Sequence, residues 1–281
     1  MAYGLLKGKK GIIFGALNDQ SIAWKAALKA HEEGAELVLT NTPVSIRLGT
    51  INELAEQCGA LGVPADATSL EDLNALVDQA MEHFGGQFDF VLHSVGMSPN
   101  IRKGKAYEDT NYDFFGKTLD ISALSFHKLL NVLYRKDALK EWGSVAALTY
   151  IAAQRTFEGY NDMADAKALL ESIARSFGVI YGKHRHVRIN TVSQSPTMTT
   201  AGSGITGMQD MFTYAEEVVV GVYADQMAPL GNASASDCAD YLVTLFSDLT
   251  KHVTMQTLYH DGGFSTTGLT ADVIDTFRKG L

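Results

Sequence analysis

Apolar residues in this chain fall into short runs separated by longer stretches in which they recur at helical spacing. The runs lie at residues 11–14, 36–40, 61–65, 88–92, 145–148, 187–192 and 256–260. They are short enough for strands and mostly too apolar for a strand with one face in water. Between them, Ala26, Ala27 and Ala30 mark one helix face. Leu70, Leu73, Leu76, Val77, Ala80, Met81 and Phe84 mark another. A third helical region spans 111–134 through Phe115, Leu119, Ser122, Phe126, Leu129 and Leu133. A fourth begins near Asp162 with Met163, Ala166, Leu169, Leu170, Ile173 and Phe177, and a fifth spans 238–246. Seven strands alternating with helices predict an α/β chain: a single Rossmann-type, doubly wound parallel sheet with helices on both faces. No repeat, linker or break in composition divides residues 1–281, so one domain is expected. Residues 197–230 stand apart, glycine-rich early and rich in Met, Val and Tyr later. They read either as a substrate-binding lid or as a packed helix pair or oligomer contact.

In such a sheet, ligands gather at the carboxyl ends of the strands. Gly15 follows the first strand, and Ser21-Ile22 opens the first helix. Strand, glycine turn and helix N-terminus can cradle a pyrophosphate. The same sequence also suits a plain turn with Ser21 as N-cap. Residues Asn41, Thr42 and Pro43 follow the second strand, where an adenosine ribose would lie, with Arg47 further on. No cation occupies 41–43, so NADH is the expected cofactor and NADPH the alternative. Asp66 and Ala67 follow the third strand; Asp66 is placed to meet an adenine edge or to close a turn. The fourth strand runs into His93-Ser94-Val95-Gly96-Met97. His93 sits in an apolar strand and reads as a core residue, while Gly96 leaves room for a ribose or flat ring. The sixth strand ends in Ser195-Pro196-Thr197-Met198-Thr199, with hydroxyls suited to a carboxamide or phosphate.

The chemistry concentrates between 150 and 167. Tyr150 follows the fifth strand, Tyr160 stands at or just before a helix, and Lys167 lies about two turns along it. The axial separation is roughly 10 Å at 1.5 Å per residue. A lysine on the face of a phenol favours negative charge there, as a proton donor or oxyanion stabiliser requires. Taken alone, the pair equally describes a half-buried tyrosine and a lysine stem on an amphipathic helix.

Bulk properties narrow the partners. A net charge of −9 with no long basic run speaks against nucleic acid. Two distant cysteines, Cys58 and Cys238, provide no metal cluster or disulfide framework, and no metal is expected. The N-terminal residues lack a signal-peptide core, and no apolar stretch spans a bilayer. A cytoplasmic protein without membrane insertion is expected.

Gly15-x5-Ser21-Ile22-Ala23, His93-Ser94-Val95-Gly96, Tyr150-x9-Tyr160-x6-Lys167, Ser195-Pro196-x2-Thr199 and His260-Asp261-Gly262-Gly263-Phe264-Ser265 occur here in one order and spacing. In them the chain resembles the short-chain dehydrogenase/reductase superfamily, and within it the bacterial enoyl-acyl-carrier-protein reductases. Ketone-reducing members carry Tyr-x3-Lys, whereas the residue four after Tyr160 is Ala164. The chain departs from the enoyl reductases at Ser195, Thr197 and Met97, and in a longer segment at 205–229. The resemblance implies reduction of trans-2-enoyl-acyl-carrier-protein thioesters by a reduced nicotinamide in type II fatty acid synthesis. It implies Tyr150, Tyr160 and Lys167 as catalytic residues, and Met97, Ser98, Tyr150 and Tyr160 as substrate contacts. Gly15, Ser21, Ile22, Thr42, Asp66, Ala67, Ser94, Gly96, Lys167, Pro196, Thr197 and Thr199 become cofactor contacts, and a homotetramer is expected. The alternatives are a 3-oxoacyl or ketone reductase and a non-catalytic dinucleotide sensor. The unprotected edge of the last strand and its flank, 253–259, is independent support for assembly.

Overall fold

A computed structural model describes residues 2–48, 51–196 and 220–280. The seven strands are β1 (Lys10–Phe14), β2 (Glu36–Asn41), β3 (Leu61–Pro64), β4 (Phe88–His93), β5 (Leu139–Thr149), β6 (Arg188–Gln194) and β7 (Thr257–His260). They form one sheet in the order β3-β2-β1-β4-β5-β6-β7, and every pairing is parallel. The winding reverses between β1 and β4, so the crevice where ligands enter such sheets opens at their carboxyl ends.

Alternate strand residues feed two cores. Ile12, Phe14, Val91, Val145, Ala147 and Ile189 face one helical layer. This layer contains α4 (Leu70–Phe84), α7 (Ser125–Arg135) and α8 (Asn161–Arg185). Ile13, Phe90, Leu92, Ala146 and Val192 face the other, built on α1 (Ile22–Glu32), α3 (Ile51–Gln57) and α10 (Ala235–Phe246). With both sides covered, the strands read as the continuous apolar runs that the sequence shows.

The structure refines several expectations. The helical region 111–134 is α6 (Tyr112–Leu119), a π-helical turn (Asp120–Leu124) and then α7. The fifth strand begins well before the expected residue 145. Short helices α2 (Pro43–Leu48) and α5 (Pro99–Arg102) occupy connections to which the sequence pattern assigned no element, and α11 (Ala271–Gly280) follows the last strand. Most of the expected lid, 197–230, lies outside the described residues; its end is α9 (Val220–Met227). Ala224 and Met227 of α9 pack with Val273, Phe264 and Ile151, and Tyr150 and Phe157 lean on that cluster. β7 pairs only with β6 among the described strands, so it forms one end of the sheet.

Candidate active site

Gly15 ends β1 at φ +91°, and a Cβ there would come within 1.9 Å of the Ser94 carbonyl oxygen. Glycine therefore lets the ends of β1 and β4 close on each other at the switch point. Ser21 is buried and caps α1: its hydroxyl accepts from Trp24 N at 3.3 Å and donates to Asn18 O at 2.7 Å. The turn reading of Ser21 is thus present in the structure. Ile22 is buried behind it. Asn41 joins the ends of β1 and β2, donating to Ala16 O at 3.0 Å and accepting from Thr42 N at 2.8 Å. The Thr42 hydroxyl caps α2 through Ser45 N, and Arg47 is exposed on that helix. Asp66 closes a turn by accepting from the amide and hydroxyl of Thr68 at 2.8 and 2.7 Å, with Ala67 buried beside it. Pro196 is buried past β6, its carbonyl accepting from the Asn232 side chain at 2.6 Å. Thr197 and Thr199 lie outside the described residues.

The second half of the site is built on α8. Tyr160 is its N-terminal cap residue, half-buried, and the chain turns into the helix at Asn161 with φ +40°. Asparagine tolerates that left-handed geometry better than most residues. Seven residues on, Lys167 is buried and donates from Nζ to Leu148 O at 2.8 Å. Burial pulls its pKa down to about 8, against the raising influence of Glu171. Burial pushes the phenols of Tyr150 and Tyr160 above the ordinary tyrosine range. Both are therefore neutral donors at pH 7. Their rings meet at 5.0 Å between centroids.

The floor between the lysine and β4 is set by Gly96, where a Cβ would lie 3.6 Å from Lys167 Nζ and 3.8 Å from Ser122 Oγ. The π turn carries Ser122 to the chain after β4. Its hydroxyl accepts from Met97 N at 2.9 Å and donates to Met97 O at 3.1 Å. π turns often occur at functional sites because the extra residue re-aims side chains. Ser125, next along, meets His93 Nε2 at 2.9 Å. His93 is buried, and burial first, then Lys167, lowers its pKa to about 3. It is a neutral core residue, as its apolar strand implies. A cavity of about 1070 Å³ opens between loops 104–108 and 152–159, bordered by Asn161, Ala164 and Asp165 of α8.

Ser98 does not sit in the open cleft. It is buried and donates to Asp162 Oδ1 at 2.6 Å. Asp162 Oδ2 also accepts from Asn100 Nδ2 at 2.7 Å and Thr118 Oγ1 at 2.8 Å. This fully buried carboxylate stands at the positive end of the α8 dipole, two residues after Tyr160. Sequence reasoning passed over Asp162, Ser122 and Glu171. The signal available was a polar residue on the otherwise apolar face of a helix.

A parallel seven-stranded sheet that carries its tyrosine and lysine on the helix after the fifth strand defines the short-chain dehydrogenase/reductase superfamily. A family model for enoyl-(acyl carrier protein) reductase matches residues 15–265. The chain belongs to that family. It is 34% identical over 273 residues to the enoyl-[acyl-carrier-protein] reductase [NADH] 1 of Rhizobium meliloti, with 96% of this chain and 95% of that one covered. It is also similar to the crystal structure of FabI from Alistipes finegoldii, at 64% identity and a TM-score of 0.91 over 99% of this chain and 98% of that one. The FabI–NADH complex from the same organism is 67% identical, with a TM-score of 0.92 over 99% and 95% of the two chains.

Replacing Asp162 with Ala removes the carboxylate shared by three buried donors: Ser98 loses its acceptor, while Asn100 and Thr118 fall back on Asn111 O and Phe114 O. A loss of about 3 kcal/mol is expected, or roughly 6–12 °C in melting temperature for a domain of this size. Calorimetry checks this; an unchanged melting temperature would show that the cluster contributes nothing to stability.

Proposed function

We infer that this protein reduces the carbon–carbon double bond of trans-2-enoyl thioesters carried on acyl carrier protein, using NADH, in fatty acid biosynthesis. The observation that carries the reading is the pairing of Tyr160 with a lysine seven residues on, in a chain whose matched relatives are NADH-dependent enoyl reductases. The residues present fit a nicotinamide dinucleotide. Gly15 brings β1 and β4 together at the crevice, Gly96 leaves space over Lys167, and Leu148 O takes one of the three donors on the ammonium. Gly15, Ser21 and Ile22 would lie along the pyrophosphate, Thr42, Asp66 and Ala67 about the adenosine, and Ser94 and Gly96 at the ribose. Pro196, Thr197 and Thr199 would meet the nicotinamide end. No lysine or arginine occupies 41–43, which favours a ribose without a 2′-phosphate.

When bound, the reduced nicotinamide supplies hydride to the β-carbon. Negative charge then gathers on the thioester oxygen, two bonds beyond the α-carbon. Tyr160 is a neutral donor able to hydrogen-bond that oxygen and stabilise the enolate. Lys167 would hold the ribose hydroxyls and, seven residues along α8 from Tyr160, add positive potential to the same site. Tyr150, its ring tilted against that of Tyr160, and Met97 would border the acyl group. Ser98 acts behind the surface through Asp162. A 3-oxoacyl reductase is disfavoured by Ala164, which stands where the ketone-reducing pattern needs lysine. A non-catalytic sensor is disfavoured by the intact Tyr160–Lys167 pair.

Three further readings accompany this one. Both cysteines are free and buried, in keeping with a reducing cytoplasm. Among the described residues no helix is long and apolar enough to cross a membrane. A homotetramer is proposed, with β7 near a two-fold axis; its edge strand and the exposed Tyr259 support that placement.

Cofactor oxidation followed at 340 nm with crotonyl-CoA should be rapid with NADH and much slower with NADPH. Tyr160→Phe and Lys167→Ala should each lower kcat/KM by about 10²-fold or more. Undiminished turnover in both variants would overturn the assignment. Light scattering should return about four times the 30.4 kDa chain mass; a mass near 30.4 kDa would exclude assembly.

A further inference from the structure

Three consecutive residues at the end of β5 are joined to α8 by three different contacts. Leu148 O accepts from Lys167 Nζ at 2.8 Å. Thr149 Oγ1 donates to Glu171 Oε1 at 2.9 Å. The Tyr150 ring rests on Tyr160. Glu171 is buried, one helical turn beyond Lys167 on the same face. Its second oxygen accepts from Gln154 Nε2 at 3.1 Å, and Gln154 Oε1 accepts from the Tyr259 hydroxyl of β7 at 2.6 Å. A buried glutamate is costly unless its charge is used or compensated. Here both oxygens are fixed, and the cationic group placed to benefit is Lys167.

We propose that Glu171 is a positioning residue acting through Lys167: its carboxylate, one turn along the same helix face, supplies the opposing charge for the ammonium held at the end of β5 and, through Thr149, fixes the backbone that carries Tyr150. The proposal deepens the enoyl-reductase reading and rests on it for the importance of Lys167. Of the groups around the ammonium, His93 of β4 is neutral at pH 7 and repels when charged. Tyr160 on α8 and Tyr150 after β5 stay protonated. Ser122, from the π turn, is uncharged. Asp261 beyond β7 is felt by Tyr150, and Tyr259 contacts Glu171 through Gln154. Asp162 of α8 is taken up by its own three donors. Glu171 is the anion that acts on Lys167, and it opposes the loss of charge that burial promotes.

The sign follows directly. Lys167 works as a cation, so its contribution is present below its pKa of about 8 and lost as pH rises through it. Removing the Glu171 charge must move that loss to lower pH. Glu171→Gln keeps the shape and can still accept from Thr149, but its NH2 faces the Gln154 amide, so it removes the charge together with that one hydrogen bond. Glu171→Asp keeps the charge and serves as the conservative rescue.

The direct test is carbon-13 NMR of the apoenzyme labelled at lysine Cε, with the Lys167 signal assigned by its absence in Lys167→Arg. A midpoint near pH 8 is expected for the unmodified chain. In Glu171→Gln it should fall by about one pH unit or more, and in Glu171→Asp it should return toward the original value. The alkaline limb of kcat/KM for crotonyl-CoA should move with it. A purely structural glutamate would lower the melting temperature of Glu171→Gln while leaving the Lys167 midpoint in place, and that result overturns the proposal. Full activity in Lys167→Ala would instead remove the catalytic reading on which it rests, whatever the NMR midpoint shows.

Discussion

Lys167 Nζ donating to Leu148 O is the contact around which the site is arranged. A buried ammonium is tolerated only where hydrogen bonds and an opposing charge replace water. The end of β5 supplies the carbonyl, and α8 supplies the carboxylate of Glu171 one turn further along. Gly96 keeps the space above the ammonium free of a side chain. The carbonyl comes from β5, the carboxylate from α8 and the open space from the chain after β4, so the strand order that sets β4 beside β5 is itself a condition of this arrangement.

Two buried carboxylates on one helix divide the supporting work. Asp162 ties the first turn of α8 to Ser98, Asn100 and Thr118, and so holds the wall beside Tyr160. Glu171 ties the third turn to Thr149 and Gln154, and so holds the strand end beside Tyr150. The two tyrosines are thereby anchored from opposite sides, with their rings in contact. Backbone groups at the carboxyl ends of the strands are fixed in the same way by Asn41, Ser122 and Asp66. Most of these side chains touch protein, and their contribution to chemistry is to restrict where the few exposed groups can go.

Strands buried on both faces were legible as apolar runs, and the parallel sheet followed from their alternation with helices. The start of β5 was not, because Lys140, Glu141 and Gly143 interrupt its apolar character. The break in the 111–134 helix was invisible for a different reason. Positions 115, 119, 122, 126, 129 and 133 keep a spacing of three and four across the π turn, so its extra residue does not stand out in the sequence. At the site, Tyr160 and Lys167 were singled out by spacing and lie on one helix as expected, and His93 is buried as its apolar strand implied. Ser98 was expected at the substrate from the family resemblance, but it caps α5 and its hydroxyl is directed at Asp162. Asp162 and Glu171 were missed because a helix pattern read for its apolar face treats charges as solvated. Their partners come from β5, α6 and residues 98–100, which only the folded chain brings together.

In the proposed reaction, hydride lands on the β-carbon of an enoyl thioester while the thioester oxygen takes the charge. Turnover of crotonyl-CoA with NADH deuterated at C4, followed by NMR of the product, reads that step directly. The account predicts butyryl-CoA with deuterium at C3 and a solvent-derived hydrogen at C2. Failure to reduce crotonyl-CoA, together with formation of 3-deuterated 3-hydroxybutyryl-CoA from acetoacetyl-CoA, would contradict it.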